Sequence, residues 1–154
     1  MKVIILAGGR GKRLKPITDY VPKPLVPIKN IPIIEWQIKY LKKFGVDEVI
    51  ICSGYKTKMM ENYLGMKDLG IKIKFSVEKS PLGTGGAIKK AGKMIKDKEF
   101  FVINGDTITN IDLKKLAKVS NSIAAIELKT KYGILETKGE KIISFREKKE
   151  ISDT

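Results

Sequence analysis

Short apolar runs alternate with stretches of helical periodicity along most of the chain. The apolar runs, which have the length of strands, occupy residues 2–6, 48–53, 71–77 and 99–103. The stretches in which apolar residues recur with helical spacing occupy residues 31–44, 56–64 and 85–95. A repeated strand–helix order is typical of a mostly parallel sheet with helices on both faces. The sequence therefore predicts an α/β fold.

The composition of single runs also predicts how deeply each strand is buried and where a helix begins and ends. Residues 2–6 and 99–103 lack polar alternation and are predicted to be strands buried on both faces, whereas residues 71–77 alternate and should have one wetter face. For the helix over residues 31–44, Asn30 is placed to cap the start and Gly45 follows the end. Its predicted apolar stripe consists of Ile34, Ile38 and Leu41.

The end of the chain has a different pattern. It predicts a short helix over residues 112–119 and strands over residues 122–128, 132–137 and 141–146. Strands that follow one another without intervening helices suggest an antiparallel appendage. No repeat or low-complexity linker marks a boundary, so a single domain is expected over residues 1–154.

The composition limits the chemistry. The chain of 154 residues contains no histidine and a single cysteine, Cys52. This excludes an intrachain disulfide, catalysis by Ser-His-Asp or Cys-His groups, and metals held by histidine. Any metal should be a hard cation held by oxygen atoms, most simply Mg²⁺.

The net charge of +14 raises the question of partners. It is compatible with nucleic-acid binding or with a solvated, lysine-rich surface, and the scattered distribution of the lysines favours the surface. No apolar run approaches the ~20 residues of a membrane span, and Lys2 interrupts any signal-peptide pattern. We therefore expect a cytoplasmic protein without a membrane partner, for which a homo-oligomer is compatible with the sequence.

A glycine-rich loop follows the first predicted strand. Gly8, Gly9 and Gly11 allow backbone N–H groups to approach an anion closely. Leu14 stands where a dinucleotide fingerprint needs glycine, and Arg13 stands where a P-loop needs serine or threonine. Cations surround the glycines at positions Arg10, Lys12, Arg13, Lys15 and Lys23. The combination favours a polyphosphate site over a basic surface turn.

Two further loops follow predicted strands. The stretch from Glu78 to Ile88 contains Pro81 and three glycines, which fit either a ligand at a helix N-terminus or a tight strand–helix connection. Asp106 ends the run Asn104-Gly-Asp and could hold Mg²⁺, form an Asx turn or cap a helix, and the two other loops favour the metal. Ligands in open α/β sheets bind beyond the carboxyl ends of the strands, where these loops should meet.

The motifs together resemble the sugar-phosphate nucleotidyltransferases. The resemblance is carried in order by G-G-x-G-x-R-L, P-K-P-L, P-L-G-T-G-G-A and N-G-D, followed by Tyr132-Gly133 and the segment Phe145-Arg-Glu-Lys148. It implies a three-layer, Rossmann-like nucleotidyltransferase core. The implied reaction joins a nucleoside triphosphate to a sugar 1-phosphate and releases pyrophosphate.

The resemblance also implies roles for single residues. Catalysis is implied for Arg13 and Lys23, and Mg²⁺ binding for Asp106. Nucleotide binding is implied for Leu6, Ala7, Gly8, Gly9, Gly11, Gly83 and Asn104. Contact with the sugar phosphate is implied for Gly133, Glu147 and Lys148. A phosphate monoester is already largely a dianion at neutral pH, so the reaction needs no histidine as general base.

The chain departs from the family pattern in two places. Lys12 replaces the threonine or serine that usually precedes the arginine. Family members also continue beyond Thr154 with further sugar-binding residues and a second metal-binding aspartate. The sequence is therefore expected to lack the last part of the sugar-binding region, either as a fragment or as a shortened protein. The alternative to an enzyme is a truncated or regulatory module that binds nucleotide without turnover. The stretch P-L-G-T-G-G-A-I looks most like guanylyltransferases for mannose or heptose 1-phosphate, which favours GTP.

Overall fold

A computed structural model describes residues 1–125 and 134–146 of the chain. Its contacts form two compact units, Met1–Lys114 and Lys115–Thr154. The division does not test the expectation of one nucleotidyltransferase domain over residues 1–154, which stays a prediction. Within the described ranges, no helix is both long enough and apolar enough to cross a membrane.

The first unit is built on a parallel sheet. Its strands are β1 (Lys2–Ala7), β4 (Glu48–Ser53), β5 (Lys72–Val77) and β6 (Phe101–Asn104). In the described part of the chain they lie in the order β5-β4-β1-β6, and every neighbouring pair is parallel. The α/β fold with a mostly parallel sheet is confirmed.

Helices cover both faces of this sheet because successive side chains of a strand point to opposite sides. The short helix α1 (Ile17–Tyr20) follows β1 along the chain. On one face of the sheet, Val3 and Ile5 of β1 pack with α2 (Ile33–Lys43) and α3 (Thr57–Gly65). On the other face, Ile4 packs with α4 (Gly83–Gly92). The result is the three-layer arrangement expected for a Rossmann-like core.

The start of α2 differs from the prediction. Residues 31 and 32 do not begin the helix; they form β3 (Ile31–Pro32), which pairs antiparallel with β2 (Pro27–Ile28). Between these strands, Lys29 and Asn30 both have positive φ, at 51° and 62°. Asn30 therefore belongs to a tight two-residue hairpin turn and does not cap the helix. The predicted stripe of Ile34, Ile38 and Leu41 is fully buried.

The strand β6 is less buried than expected. Among the strands of the described residues it lies at the end of the order opposite β5, and its Val102 remains 39% exposed. The prediction of a strand buried on both faces was wrong for β6, because apolar composition alone does not tell an edge strand from a central one.

The second unit begins within the short helix α5 (Leu113–Leu116), which is shorter than predicted. A hairpin of β7 (Ile134–Lys138) and β8 (Lys141–Arg146) confirms antiparallel pairing near the end of the chain. Residues 122–125 form no strand, and the rest of the strand predicted over 122–128 lies outside the described residues.

The buried carboxylate of Glu35 on α2 contacts side chains of α2 and α3. Glu35 is 5% exposed, contacts Lys39 Nζ at 2.6 Å, and accepts a hydrogen bond from the hydroxyl of Tyr63. The hydrogen bonds from Lys39 and Tyr63 lower the pKa of Glu35, although burial acts in the opposite direction. Burial and the bond to Glu35 raise the pKa of Tyr63 to about 12.

This cluster makes the stability of the fold depend on pH. Because the folded-state pKa of Glu35 is depressed, its contribution is fully present above the unfolded value of about 4.3 and is lost as the pH falls through the folded value. Glu35→Gln should lower the free energy of unfolding by about 2 kcal/mol at neutral pH. Urea titrations of both proteins should show this difference shrinking as the pH falls below about 4.3 and through the lowered pKa of Glu35. If the stability difference between the two proteins did not depend on pH, the ionised carboxylate of Glu35 would not be its cause.

Candidate active site

A cavity of about 260 Å³ opens at the carboxyl ends of β1 and β6. This is the edge where ligands bind in open α/β sheets. Its lining consists of Leu6, Ala7, Gly9, Gly11, Lys12, Arg13, Leu14, Lys23, Pro24, Gly105 and Asp106. The cavity therefore brings together the opening loop, the P-K-P-L segment and the Asn-Gly-Asp segment, which are far apart in the sequence.

Gly11 gives the opening loop its shape. It has φ of 64° and directly precedes a short 3₁₀ turn over Lys12–Leu14. A Cβ at this position would lie 2.9 Å from Cγ2 of Thr18, so a side chain would be both strained and crowded. The hydroxyl of the buried Thr18 donates a hydrogen bond of 3.0 Å to the carbonyl oxygen of Gly11. The requirement for glycine here is thus a matter of backbone conformation and close packing.

Two residues outside the recognised motifs hold the same loop. The hydroxyl of Tyr55 donates to the carbonyl oxygen of Thr18 at 2.8 Å. Lys56 Nζ donates to the carbonyl oxygens of Asp19 at 2.7 Å and Tyr20 at 3.1 Å. Sequence analysis did not identify Tyr55 or Lys56, because nothing in their local pattern shows which distant backbone they will reach.

Lys23 and Asp106 form an ion pair in the wall of the cavity. Nζ of Lys23 lies 2.5 Å from Oδ2 of Asp106, and the two side chains are 31% and 40% exposed. The hydrogen bond from Lys23 lowers the pKa of Asp106, so the carboxyl group is ionised at neutral pH. The site therefore presents a cation and an anion side by side.

The segment that carries Asp106 is fixed against β1. The backbone N–H of Gly105 donates to the carbonyl oxygen of Leu6 at 2.8 Å. A Cβ on Gly105 would lie 2.8 Å from that same oxygen and 3.1 Å from Cβ of Ala7. Only glycine allows this approach, which places Asp106 beside the opening loop.

The predicted site residues fall into three groups. Leu6, Ala7, Gly9, Gly11, Arg13, Lys23 and Asp106 all line the cavity. In the part of the chain that the structure describes, Gly8, Gly83 and Asn104 are not among the lining residues. Gly133, Glu147 and Lys148 lie outside the described residues.

The predicted residues that do not line the cavity have other surroundings. A Cβ on Gly8 would lie 3.2 Å from Oε1 of Glu78, so the opening loop passes close to the end of β5. Gly83 begins α4 with φ of 68°, and among the described residues, apart from its chain neighbours and the backbone of its own helix, no atom lies within 4 Å of a Cβ built on it. The second glycine-rich stretch therefore starts a helix, as expected, with free space beside its first residue.

The carboxylates of the described residues set limits on a metal site. They include no group of three or more carboxylate, cysteine or histidine side chains that could enclose an ion. Asp106 is the carboxylate in the cavity lining. Mg²⁺ binds through one or two carboxylates when phosphate oxygens and water complete its shell. The residues present thus fit a metal that arrives with a phosphorylated ligand.

Comparison with known proteins shows to which family the chain belongs. The family described as nucleotidyl transferase matches residues 2–153. The chain belongs to the nucleotidyl transferase family.

Two curated relatives are D-glycero-alpha-D-manno-heptose 1-phosphate guanylyltransferases. The protein from Campylobacter jejuni is 46% identical to the chain over 154 aligned residues, which cover 96% of the chain and 69% of the relative. The protein from Aneurinibacillus thermoaerophilus is 40% identical, and the match covers 96% of the chain and 68% of the relative. About a third of each relative's length therefore has no counterpart in the sequence of this nucleotidyl transferase.

A solved structure supports the same assignment. HddC from Yersinia pseudotuberculosis, crystallised in complex with GMP-PN, superimposes with a TM-score of 0.77 at 37% identity. The superposition covers 96% of the chain and 69% of HddC. The Rossmann-like fold expected for a nucleotidyl transferase is thereby confirmed.

Proposed function

We propose that the chain transfers a nucleotidyl group from a nucleoside triphosphate to a sugar 1-phosphate and releases pyrophosphate. The observation that carries the proposal is the cavity in which Gly11, Arg13, Lys23 and Asp106 converge. The guanylyltransferase names of the relatives support a sugar 1-phosphate as acceptor and favour GTP as donor.

The reaction suits these residues. An oxygen of the sugar phosphate attacks the α-phosphorus of the triphosphate, and the bond from that phosphorus to the bridging oxygen of the β-phosphate breaks. Negative charge grows on the leaving pyrophosphate and on the α-phosphate oxygens. Arg13 and Lys23 would stabilise this charge, while the backbone around Gly9 and Gly11 positions the phosphates.

Mg²⁺ is part of the proposal. Asp106 would hold the ion together with phosphate oxygens of the nucleotide, and the bound ion would supply charge neutralisation at the phosphates. Lys23, which pairs with Asp106, is proposed to contact the same phosphates. Leu6, Ala7, Gly8, Gly83 and Asn104 are proposed to contact the nucleotide.

The proposed contacts with the acceptor, the sugar 1-phosphate, rest on the resemblance to sugar-phosphate nucleotidyltransferases. Gly133, Glu147 and Lys148 are proposed to meet the sugar phosphate. A cytoplasmic location, expected from the sequence, is proposed together with this function.

A substrate panel tests the proposal. Each common nucleoside triphosphate is mixed with mannose, glucose and heptose 1-phosphates in the presence of Mg²⁺, and pyrophosphate release is measured. We expect release that requires both substrates and is fastest with GTP. Nucleotide binding without release for any pair would show that the chain is a nucleotide-binding module and would refute the enzymatic proposal.

A further inference from the structure

A buried amide lies on the core-facing stripe of α2. Gln37 is 4% exposed and shares this stripe with Ile34, Ile38 and Leu41. An amide buried among apolar side chains is costly unless its polar atoms are hydrogen-bonded. Because Gln37 occupies a position suited to an apolar residue, we expect its amide to have specific hydrogen-bond partners.

The partner is the segment that carries Asp106. Nε2 of Gln37 donates to the carbonyl oxygens of Asn104 and Thr107, each at 2.6 Å. Both N–H bonds of the amide are thereby used, and two acceptor carbonyls fix which end of the amide faces the segment. Oε1 of Gln37 is buried and has no hydrogen-bond partner among the described residues. Both donors of the side chain are thus directed at this one segment.

The two carbonyls bracket Gly105 and Asp106. Together with the bond from the N–H of Gly105 to Leu6, they fix the segment on both sides of the carboxylate. The free rotation left to Asp106 is then mainly that of its own side chain. The backbone position from which the carboxylate of Asp106 reaches Lys23 and the cavity is therefore held from α2.

We propose that Gln37 is a positioning residue for nucleotidyl transfer and acts through Asp106 without touching either substrate. The proposal rests on the proposed function, because it assigns a catalytic consequence to the orientation of Asp106. A purely structural role for Gln37 would predict lower stability at unchanged turnover.

The first experiment compares two substitutions on the same helix. Gln37→Met keeps the length of the side chain but removes both donors, whereas Glu35→Gln removes a buried charge whose partners lie on α2, α3 and the segment that follows α3. We expect Gln37→Met to lower kcat by about 10–100-fold with little change in the KM for nucleotide, since a small displacement of a catalytic group costs rate more than binding. Glu35→Gln should lose stability but retain kcat. Equal kcat for wild type and folded Gln37→Met would overturn the proposal.

A second measurement uses the wild-type chain and does not depend on the folding of a variant. Gln37 is the single glutamine of the sequence, so labelling with ¹⁵N-glutamine gives one side-chain NH₂ signal pair. We expect slow exchange of these protons with solvent and a shift of the pair when GTP and Mg²⁺ are added. Rapid exchange, or no response while GTP binding is detected by calorimetry, would overturn the proposal.

The two measurements separate the two proposals. If the wild-type chain binds GTP but forms no product, the proposed function fails, and the NMR signal of Gln37 still decides whether this side chain holds the segment of Asp106. If the wild-type chain is active and Gln37→Met is equally active, only the positioning role fails.

Discussion

Lys23→Met is expected to lower the rate of nucleotidyl transfer by about 10²–10³-fold, the usual loss when one preorganised charge or donor at a transition state is removed. The physical reason is that Lys23 lies in the cavity wall beside Asp106 and would stabilise the charge that grows on the phosphates. Steady-state measurement of pyrophosphate release at saturating substrates gives kcat directly. The folded state should persist, because the side chain is 31% exposed and its ion pair is near the surface.

Lys2→Met is the matched control for this substitution. Lys2 pairs with Asp47 at 2.9 Å and is also partly exposed, but it lies at the amino end of β1, away from the cavity. Loss of this pair should leave kcat unchanged. If Lys23→Met retained the wild-type kcat, or if both variants lost activity equally, Lys23 would have no place in the catalytic machinery.

Gly105→Ala is expected to destabilise the first unit by about 3 kcal/mol and to abolish turnover. Its added methyl group would lie 2.8 Å from the carbonyl oxygen of Leu6, which belongs to a central strand and cannot rotate away as a flexible side chain could. The end of β1 and the segment of Asp106 must therefore separate. A loss of this size corresponds to a drop in Tm of about 6–12 °C for a chain of this length, measurable by circular dichroism.

Gly92→Ala provides the comparison. Gly92 is the last residue of α4, and a Cβ built on it would meet no atom within 4 Å in the part of the chain that the structure describes, apart from its chain neighbours and the backbone of its own helix. Alanine should leave the stability unchanged or raise it by up to about 1 kcal/mol, because it favours the helix. Should Gly105→Ala melt at the same temperature as Gly92→Ala, the close approach of Gly105 to β1 would be refuted.

The sequence was sufficient to predict the core of the fold. The strand boundaries of β1 and β4 follow from continuous apolar runs, and the alternation with helices leads to the parallel sheet. The predicted stripe of α2 is buried as expected. Seven of the cavity's lining residues were predicted as site residues, from the glycines and cations after the first strand and from the family resemblance, and their roles stay predictions.

Other features depended on distant parts of the chain and were not predicted. The turn at Lys29 and Asn30 belongs to a two-strand hairpin whose strands are too short to show a pattern. Tyr55 acts through a backbone hydrogen bond to Thr18, which sequence spacing does not reveal. Gln37 did leave a signal, since it is a polar residue on an apolar helical stripe, but its partner became apparent only from the structure.

The central claim is that the cavity around Arg13, Lys23 and Asp106 transfers a nucleotidyl group. It is tested most directly by supplying GTP labelled at either the α- or the γ-phosphate, together with Mg²⁺ and a sugar 1-phosphate, and by following the label. We expect the α-label in the sugar nucleotide, the γ-label in pyrophosphate, and neither product with Asp106→Asn. Release of the γ-label as free phosphate, or an Asp106→Asn variant as active as the wild type, would contradict the account.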